Sequence, residues 1–462
     1  TFAWLGTAAA QVAPRWVAET TDATIDQALV RARAKGEDAL AAMALVHALS
    51  ERASRGHAEA ALAEIAKEPG ELGATAAWLA ALEGGSKPAG LVSELAIWGP
   101  FPDTGGGLLR REGPEADGFD PEARYDFGAY RVRYRKVPAE FVAARGVPLD
   151  LLVSPRDESC TYLAARAFVD APKPFVVHVA SAGSVRLFWN GVDAAQSEEV
   201  HPGLVFDRLA ARVDAEPGEH VLGVKVCSGA LPDEGRVRLR VTDEAGQPFE
   251  LRTSATFEKR PSLAAKAKVT RLETPLEKAL RYRDKPSPER MLASALVRAF
   301  GKADDLRSPR APGLLEAVMA SPKVTADRAA IAGFASPFAS SKTEWLNLAL
   351  DRALREKDTR TERFARKELV RARLEAKLPD FAWAGFSEGA LASAQDPEAE
   401  LLRAKVEAAL GTSLRRRALE RTARLVENEG PRASTEALRQ LAELAHGLDP
   451  HRAVRAVGGV VG

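Results

Sequence analysis

Two cysteines, Cys160 and Cys227, are the only thiols in the chain, and they are the first residues to weigh for chemistry. As a nucleophile Cys160 would need a base, which His178 or His220 could supply. Both cysteines fall in or beside segments with strand periodicity, whereas activated thiols favour helix N-termini or cationic pockets, so the pattern argues against catalysis. Geometry offers another role. Cys160 opens one strand and Cys227 closes another, and antiparallel neighbours would bring them within disulfide range.

Carboxylates and cations offer less. Glu198-Glu199 with Asp207 could suggest a calcium or glycosidase site, but adjacent glutamates point apart and EF-hand spacing is absent. A solvated loop explains them. Arg415-Arg416-Arg417 would fan over most of a helix circumference, with Glu420 and Glu427 nearby, which reads as a solvated face rather than a phosphate grip. Gly105-Gly106-Gly107 lacks the Lys-Ser/Thr that completes a phosphate loop. None of the seven histidines forms an HxxxH or HxH pair, and no CxxC occurs, so neither a metal nor a cofactor is expected. His47, among apolar helix positions, reads as a satisfied, partly buried histidine.

Aromatic side chains provide the binding candidates. Trp189 beside Asn190 could stack on the apolar face of a pyranose; equally, Trp189 fills a core or hairpin edge while Asn190 makes the turn. Trp98 and the cluster Tyr125, Phe127, Tyr130 and Tyr134 carry the same two alternatives, with packing against a helical arm as the second. Trp189, Asn190, Trp98 and Tyr130 are therefore the candidate binding residues, and the packing alternative is preferred for each.

The elements that would position these residues follow from periodicity. Residues from about 20 to 85 read as helical, with Thr24 and Gln27 as a capping box and further helices over 37–55, 57–67 and through Trp78 to Gly84-Gly85. At about residue 93 the character changes. Residues 95–101, 160–169, 175–180, 185–189, 206–213, 220–226 and 236–242 read as strands, and Asn190-Gly191 is a strong hairpin signal. From about 265 onward helical periodicity returns: Leu346, Ala349, Leu350, Ala353 and Leu354 make one apolar face, and Leu402, Val406, Ala409 and Leu410 another. Asp396-Pro397, Gly411 and Gly430-Pro431 punctuate these helices. The expected fold is multidomain α + β. A β-sandwich over 93–255 is flanked by a helical repeat-like region over 1–92 and a helical solenoid or bundle over 256–462.

Bulk composition narrows the function. Hydrophobic residues are 46% and charged residues 28% of 462, which is globular. Lys+Arg is 65 against Asp+Glu 64, so no basic footprint marks a nucleic-acid partner. No apolar run of about 18 or more residues exists, so no membrane span is expected. The chain begins at Thr1, and the apolar stretch 2–13 lacks a basic n-region. It is either the start of a mature chain after signal removal or a simple boundary, with the first preferred.

The central segments resemble a known module. Ile97-Trp98-Gly99-Pro100-Phe101 with Gly113-Pro114-Glu115 resembles the opening found in some large bacterial envelope proteins. Tyr162 to Phe168 is similar to the first core strand, Val185 to Gly191 to the central hairpin, and Glu216 to Val226 to a later strand entered through a Pro-Gly turn. Together they resemble the sugar-binding, galactose-binding-like jelly roll of family 2 glycoside hydrolases. The whole layout resembles the N-terminal, non-catalytic half of myxobacterial-type envelope proteins with a transglutaminase-like domain, the helical arms matching tetratricopeptide-like solenoids in general character only. A transglutaminase-like core would need a Cys nucleophile, a His and an acidic partner, and nothing of that kind follows here. The resemblance implies a non-enzymatic protein-interaction scaffold of the periplasm or cell envelope, binding a protein through its helical repeats. The alternative is a carbohydrate-binding module of a larger envelope enzyme, with polysaccharide as partner.

Overall fold

The computed structural model describes residues 13–461, apart from 33–35, 104–105, 143–145, 259–260, 262–265, 283–285, 387–390, 392–395 and 431–432. The apolar stretch 2–12 and Gly105 lie outside the described residues. Helices α1 (Arg15–Ala32), α2 (Glu37–Leu49), α3 (His57–Ile65) and α4 (Gly70–Glu83) come first. Strands β1 (Ala96–Pro102), β2 (Arg124–Asp126), β3 (Arg131–Arg133), β4 (Arg135–Lys136) and β5 (Val147–Pro148) precede a short α5 (Leu149–Leu152). The long strands follow: β6 (Ser159–Val169), β7 (Phe175–Trp189), β8 (Val192–Ala215), β9 (Gly218–Cys227) and β10 (Arg236–Thr242), with β11 (Arg252–Ser254) and β12 (Ala267–Leu272) closing the series. Helices α6 (Pro275–Leu280), α7 (Pro288–Phe300), α8 (Ala311–Met319), α9 (Ala326–Ala335), α10 (Ala339–Glu356), α11 (Thr359–Glu375) and α12 (Pro379–Ala384) come next. The last four are α13 (Pro397–Leu410), α14 (Thr412–Glu429), α15 (Thr435–His446) and α16 (Pro450–Val461). The chain is thus mixed α and β, with a large antiparallel sheet. It divides into two compact units: Ile25–Ser50 with Arg55–Leu314, and the described parts of Thr1–Thr24, Glu51–Ser54 and Leu315–Gly462.

In the strand-rich unit ten strands form one antiparallel sheet in the order β12-β8-β7-β9-β6-β1-β4, with β10 beside β7 and β5, and β11 beside β6. Residues 175–180 and 185–189 belong to one strand, where the apolar pattern alone suggests two. Ser181, Gly183 and Ser184 interrupt the large apolar positions, and Gly183 takes φ of 65°, so β7 bends without ending. Before the bend β7 pairs with β10; after it, with β9. Strand alternation then gives each half one face for a shared interior. Val177, Val179, Leu209, Ala211 and Leu239 come from one half, and Leu163, Ala165, Leu187, Leu222 and Val224 from the other. The outer face of β6, β7 and β9 carries a second cluster, in which Trp98, Phe101, Tyr162 and Phe188 pack with Phe119 and Phe257.

Two helix boundaries differ from periodicity. Thr24 does not cap a helix: α1 begins at Arg15 after Pro14, and the Thr24 hydroxyl donates to the Thr20 carbonyl at 2.9 Å inside it. Residues 267–272, expected to be helical, pair with β8 as an edge strand, as suits the β-branched Val269-Thr270 pair.

In the helical unit each long helix packs on its successor: α9 on α10, α10 on α11, α13 on α14 and α14 on α15. Contacts also reach the next but one, α9 with α11, α11 with α13 and α14 with α16. Side-chain caps set the starts. The Asp358 carboxylate accepts from the amides of Arg360 and Thr361, Asp396 accepts from Glu398 ahead of Pro397, and Ser434 accepts from Ala437.

Candidate functional site

The proposed aromatic platform is interior. Trp189 is 1% exposed, packs edge-on to Phe175 at 5.5 Å and donates its Nε1–H to His220 Nδ1 at 3.0 Å. His220 Nε2 in turn lies 2.8 Å from the Glu216 carbonyl, which fixes the neutral Nε2–H tautomer. Asn190, at φ 52°, and Gly191, at φ 75°, make the two-residue turn joining β7 to β8. The Asn190 side chain is used locally: its Oδ1 accepts from the Val221 amide at 2.8 Å, and its Nδ2 lies 3.0 Å from His220 Nδ1. Trp98 is 0% exposed, ringed by Phe119, Tyr134 and Phe257 at 5.3–5.8 Å. Half-buried Tyr130 packs on Phe127 at 5.4 Å and against the cluster that holds Trp98. The structure thus joins Trp189 to Asn190, and Tyr130 to the Trp98 cluster, but the two groups occupy different clusters. Neither indole presents a face on which a sugar could stack.

Cys160 stands opposite Cys227 in the register of β6 and β9, and the two sulfurs are bonded. The Asp103 carboxylate lies within 4.8 Å of both sulfurs, but bonded sulfurs are not thiolates and cannot serve as metal ligands. Two buried cations flank the bond. Lys225 donates to the carbonyls of Gly107 and Arg110 and to Glu112, and sits 4.9 Å over the Tyr162 ring; burial lowers its pKa. Arg186 donates to Glu115 and, at 2.8 Å, to Asp193.

A third charged group lies on the outer face of β7, β8 and β10. Asp207, read from sequence as part of a solvated loop, is buried, accepting from Arg240 Nε at 2.9 Å and also from Arg240 Nη2. Trp78 of α4 covers both Arg238 and Arg240, each 5.0 Å from its ring. His178 Nδ1 is 3.5 Å from Asp207, and its Nε2 is 3.1 Å from the Thr242 hydroxyl. Burial, reinforced by Arg240, pushes the His178 pKa down to about 3, so the ring is neutral. Burial alone would raise the Asp207 carboxyl, but the Arg240 guanidinium bonded to it outweighs that and holds it below the ordinary value. A recess of about 40 Å3 beside this group is lined by Glu71, Thr75, His178, Arg240, Thr242 and Glu273. Such a space holds one or two waters, not a substrate. A neutral histidine beside a carboxylate locked to arginine makes a structural ionic centre.

His47 Nδ1 lies 2.9 Å from Glu83, and its ring meets Phe206 edge-on at 5.4 Å. Of the other weighed charges, Glu199 pairs with His201 at 3.2 Å and Arg417 with Glu407 at 3.2 Å.

The helical unit presents a different surface. Phe381 is 64% and Trp383 37% exposed on the six-residue α12, and Phe338, Leu354 and Leu378 are also uncovered. A hollow of about 400 Å3 on α10 is lined by Asn347, Leu348, Leu350, Asp351 and Leu354. Sequence reasoning missed both this surface and the buried ionic groups. The alternation in Arg236-Val237-Arg238-Leu239-Arg240 marks a strand without saying what covers its arginine face, which α4 makes an interior one. No protein-family model, curated protein or solved structure matches the chain.

Proposed function

We propose that the chain is a non-catalytic protein-interaction scaffold of the bacterial cell envelope. The helical unit is read as a tetratricopeptide-like solenoid that holds a protein partner, and the strand-rich unit as a galactose-binding-like jelly roll acting as a spacer. One observation carries this reading: two aromatics are uncovered side by side on one short helix. The strand-rich unit buries Trp98 and Trp189, whereas α12 of the helical unit exposes Phe381 and Trp383 within three residues. Exposed aromatic pairs are the side chains that anchor protein interfaces. Stacking of α9 on α10 and α11, and of α14 on α15 and α16, supports the solenoid reading. The Cys160–Cys227 bond supports an oxidising compartment.

The test is a pull-down from an envelope fraction with the wild-type chain and a Phe381→Ser/Trp383→Ser double variant as baits. The scaffold reading expects a protein held by the wild type and depleted at least about tenfold by the double variant. Equal retention by both baits, or retention on polysaccharide alone, overturns it; the second result turns the reading into a carbohydrate-binding module.

A further inference from the structure

The Cys160–Cys227 bond is walled in on three sides by structure that cannot move without opening the sheet. Cys160 has Phe101 of β1 as its cross-strand neighbour, and Cys227 has Ser184 of β7. Behind the two strands is the interior cluster of Leu163, Val226 and their neighbours. Among the described residues the remaining side is covered by residues 106–115, which contain two short 3-10 turns. This cover is close: a Cβ placed on Gly107 would stand 3.0 Å from Cys160 Sγ. Leu108 packs into the same cluster as both cysteines, and neither cysteine is exposed.

What holds residues 106–115 down is not strand pairing but side chains reaching up from the sheet. Asp103 accepts from the Gly107 amide at 3.0 Å. Lys225 of β9 donates to the carbonyls of Gly107 and Arg110, the latter at 2.9 Å, and to Glu112 at 3.2 Å. Arg186 of β7 donates to Glu115, and Arg111 pairs with Asp193 at 3.2 Å. A segment held by a few ionic contacts and the packing of Leu108 and Pro114, with no ladder of its own, opens at lower free energy than the sheet beneath it.

We infer that residues 106–115 form a strap that opens independently of the sheet and controls thiol access to the Cys160–Cys227 bond, making this disulfide a gated redox site for a dithiol reductant. With the strap open, a thiolate of the dithiol attacks one sulfur and forms a mixed disulfide, displacing the other cysteine as thiolate. The second thiol of the reductant then closes on its own sulfur. Two cysteine thiols and one oxidised dithiol result, and the two protons come from the reductant.

The experiment is native-state reduction by dithiothreitol, with new thiols trapped by alkylation and counted by mass, on the full chain and two variants. Glu115→Gln weakens the strap's tie to Arg186. Arg166→Gln breaks the 2.6 Å pair with Glu219 between the same strands, β6 and β9, without touching the strap. The strap model expects Glu115→Gln to be reduced about tenfold faster than wild type and Arg166→Gln within about twofold of it. Urea melts run in parallel provide the comparison of global stability. Reduction of Glu115→Gln at the wild-type rate, or equal acceleration by Arg166→Gln, overturns the model, because access would then follow opening of the sheet. Should Glu115→Gln not fold, Glu112→Gln, which removes the partly exposed partner of Lys225, takes its place under the same criteria.

Discussion

His178 shows what burial does to a single side chain. An unfolded histidine titrates near its ordinary value, whereas the folded ring, enclosed between Asp207, Arg240 and Thr242 with Lys278 nearby, titrates at about 3. Below the ordinary value the unfolded chain therefore holds a proton that the folded chain does not. The stability from keeping His178 neutral is fully present above about pH 6.5 and is lost progressively as pH falls toward 3. His201, whose pKa is lowered mainly by burial, acts in the same direction. Most carboxylates stay ionised down to pH 5, so the histidines dominate the interval from 6.5 to 5, opposed by carboxyls such as Glu368 whose pKa burial raises. Urea melts across it should show His178 alone costing about 2 kcal/mol. A His178→Gln variant should show a shallower dependence, the residual slope belonging to His201. An unchanged slope in that variant would mean that the ring is protonated in the fold.

At the scale of elements, the bend in β7 decides how one sheet encloses a core. Gly183 sits in the left-handed region, and a Cβ there would stand 2.5 Å from the Cys227 carbonyl oxygen. Gly183→Ala combines an unfavourable backbone region with a clash against main chain that cannot swing aside. It should destabilise by at least about 2 kcal/mol in urea melts. Gly191→Ala, at φ 75° with nothing within 4 Å, bears the backbone term without the clash and should cost less. Equal costs would show that the bend does not need the close approach. The same strand marks where the sequence was legible. Alternation located β6, β9, β10 and the two halves of β7, and Asn190-Gly191 located the hairpin, because these signals are local. Alternation assigns two faces to a strand without saying what covers them. It therefore could not show that Trp189 points into the interior, or that α4 closes over Arg238 and Arg240. The pairs that fix the buried charges join residues far apart in the chain: Asp207 with Arg240, Glu115 with Arg186, Gly107 with Lys225. No spacing rule reaches across such gaps, so these groups became visible only once the strands were in register.

For the molecule as a whole, the decisive fact is that, among the described residues, the two sheet clusters and the two helical clusters draw on separate stretches of the chain. The interior of the sheet and its outer aromatic cluster draw on residues between Val92 and Val269. The helical clusters draw on Trp16 and Val17 and on residues from Val324 to Ala456. A chain of residues 25–314 retains every member of the first pair of clusters, together with α2, α3, α4 and the buried Ile25, Ala28 and Ala32 of α1. It should fold alone, with a single cooperative urea transition and near-ultraviolet dichroism from its buried tryptophans. A chain of residues 315–462 is in a different position. It lacks Trp16, whose Nε1–H donates to buried Glu368 at 2.8 Å and whose ring lies 4.6 Å beneath the Lys367 ammonium. Burial raises the pKa of Glu368, so losing a donor there removes support from a carboxylate already held at a cost. This fragment should be about 1–3 kcal/mol less stable than the same helices in the full chain, the usual cost of removing a buried hydrogen-bond donor from a charged acceptor, because Arg371 still pairs with Glu368 at 3.2 Å. A peptide carrying residues 13–24 should restore part of the loss, and the same peptide with Trp16→Ala should not. Full stability without the peptide would show that residues 13–24 add nothing to the stability of the helical core.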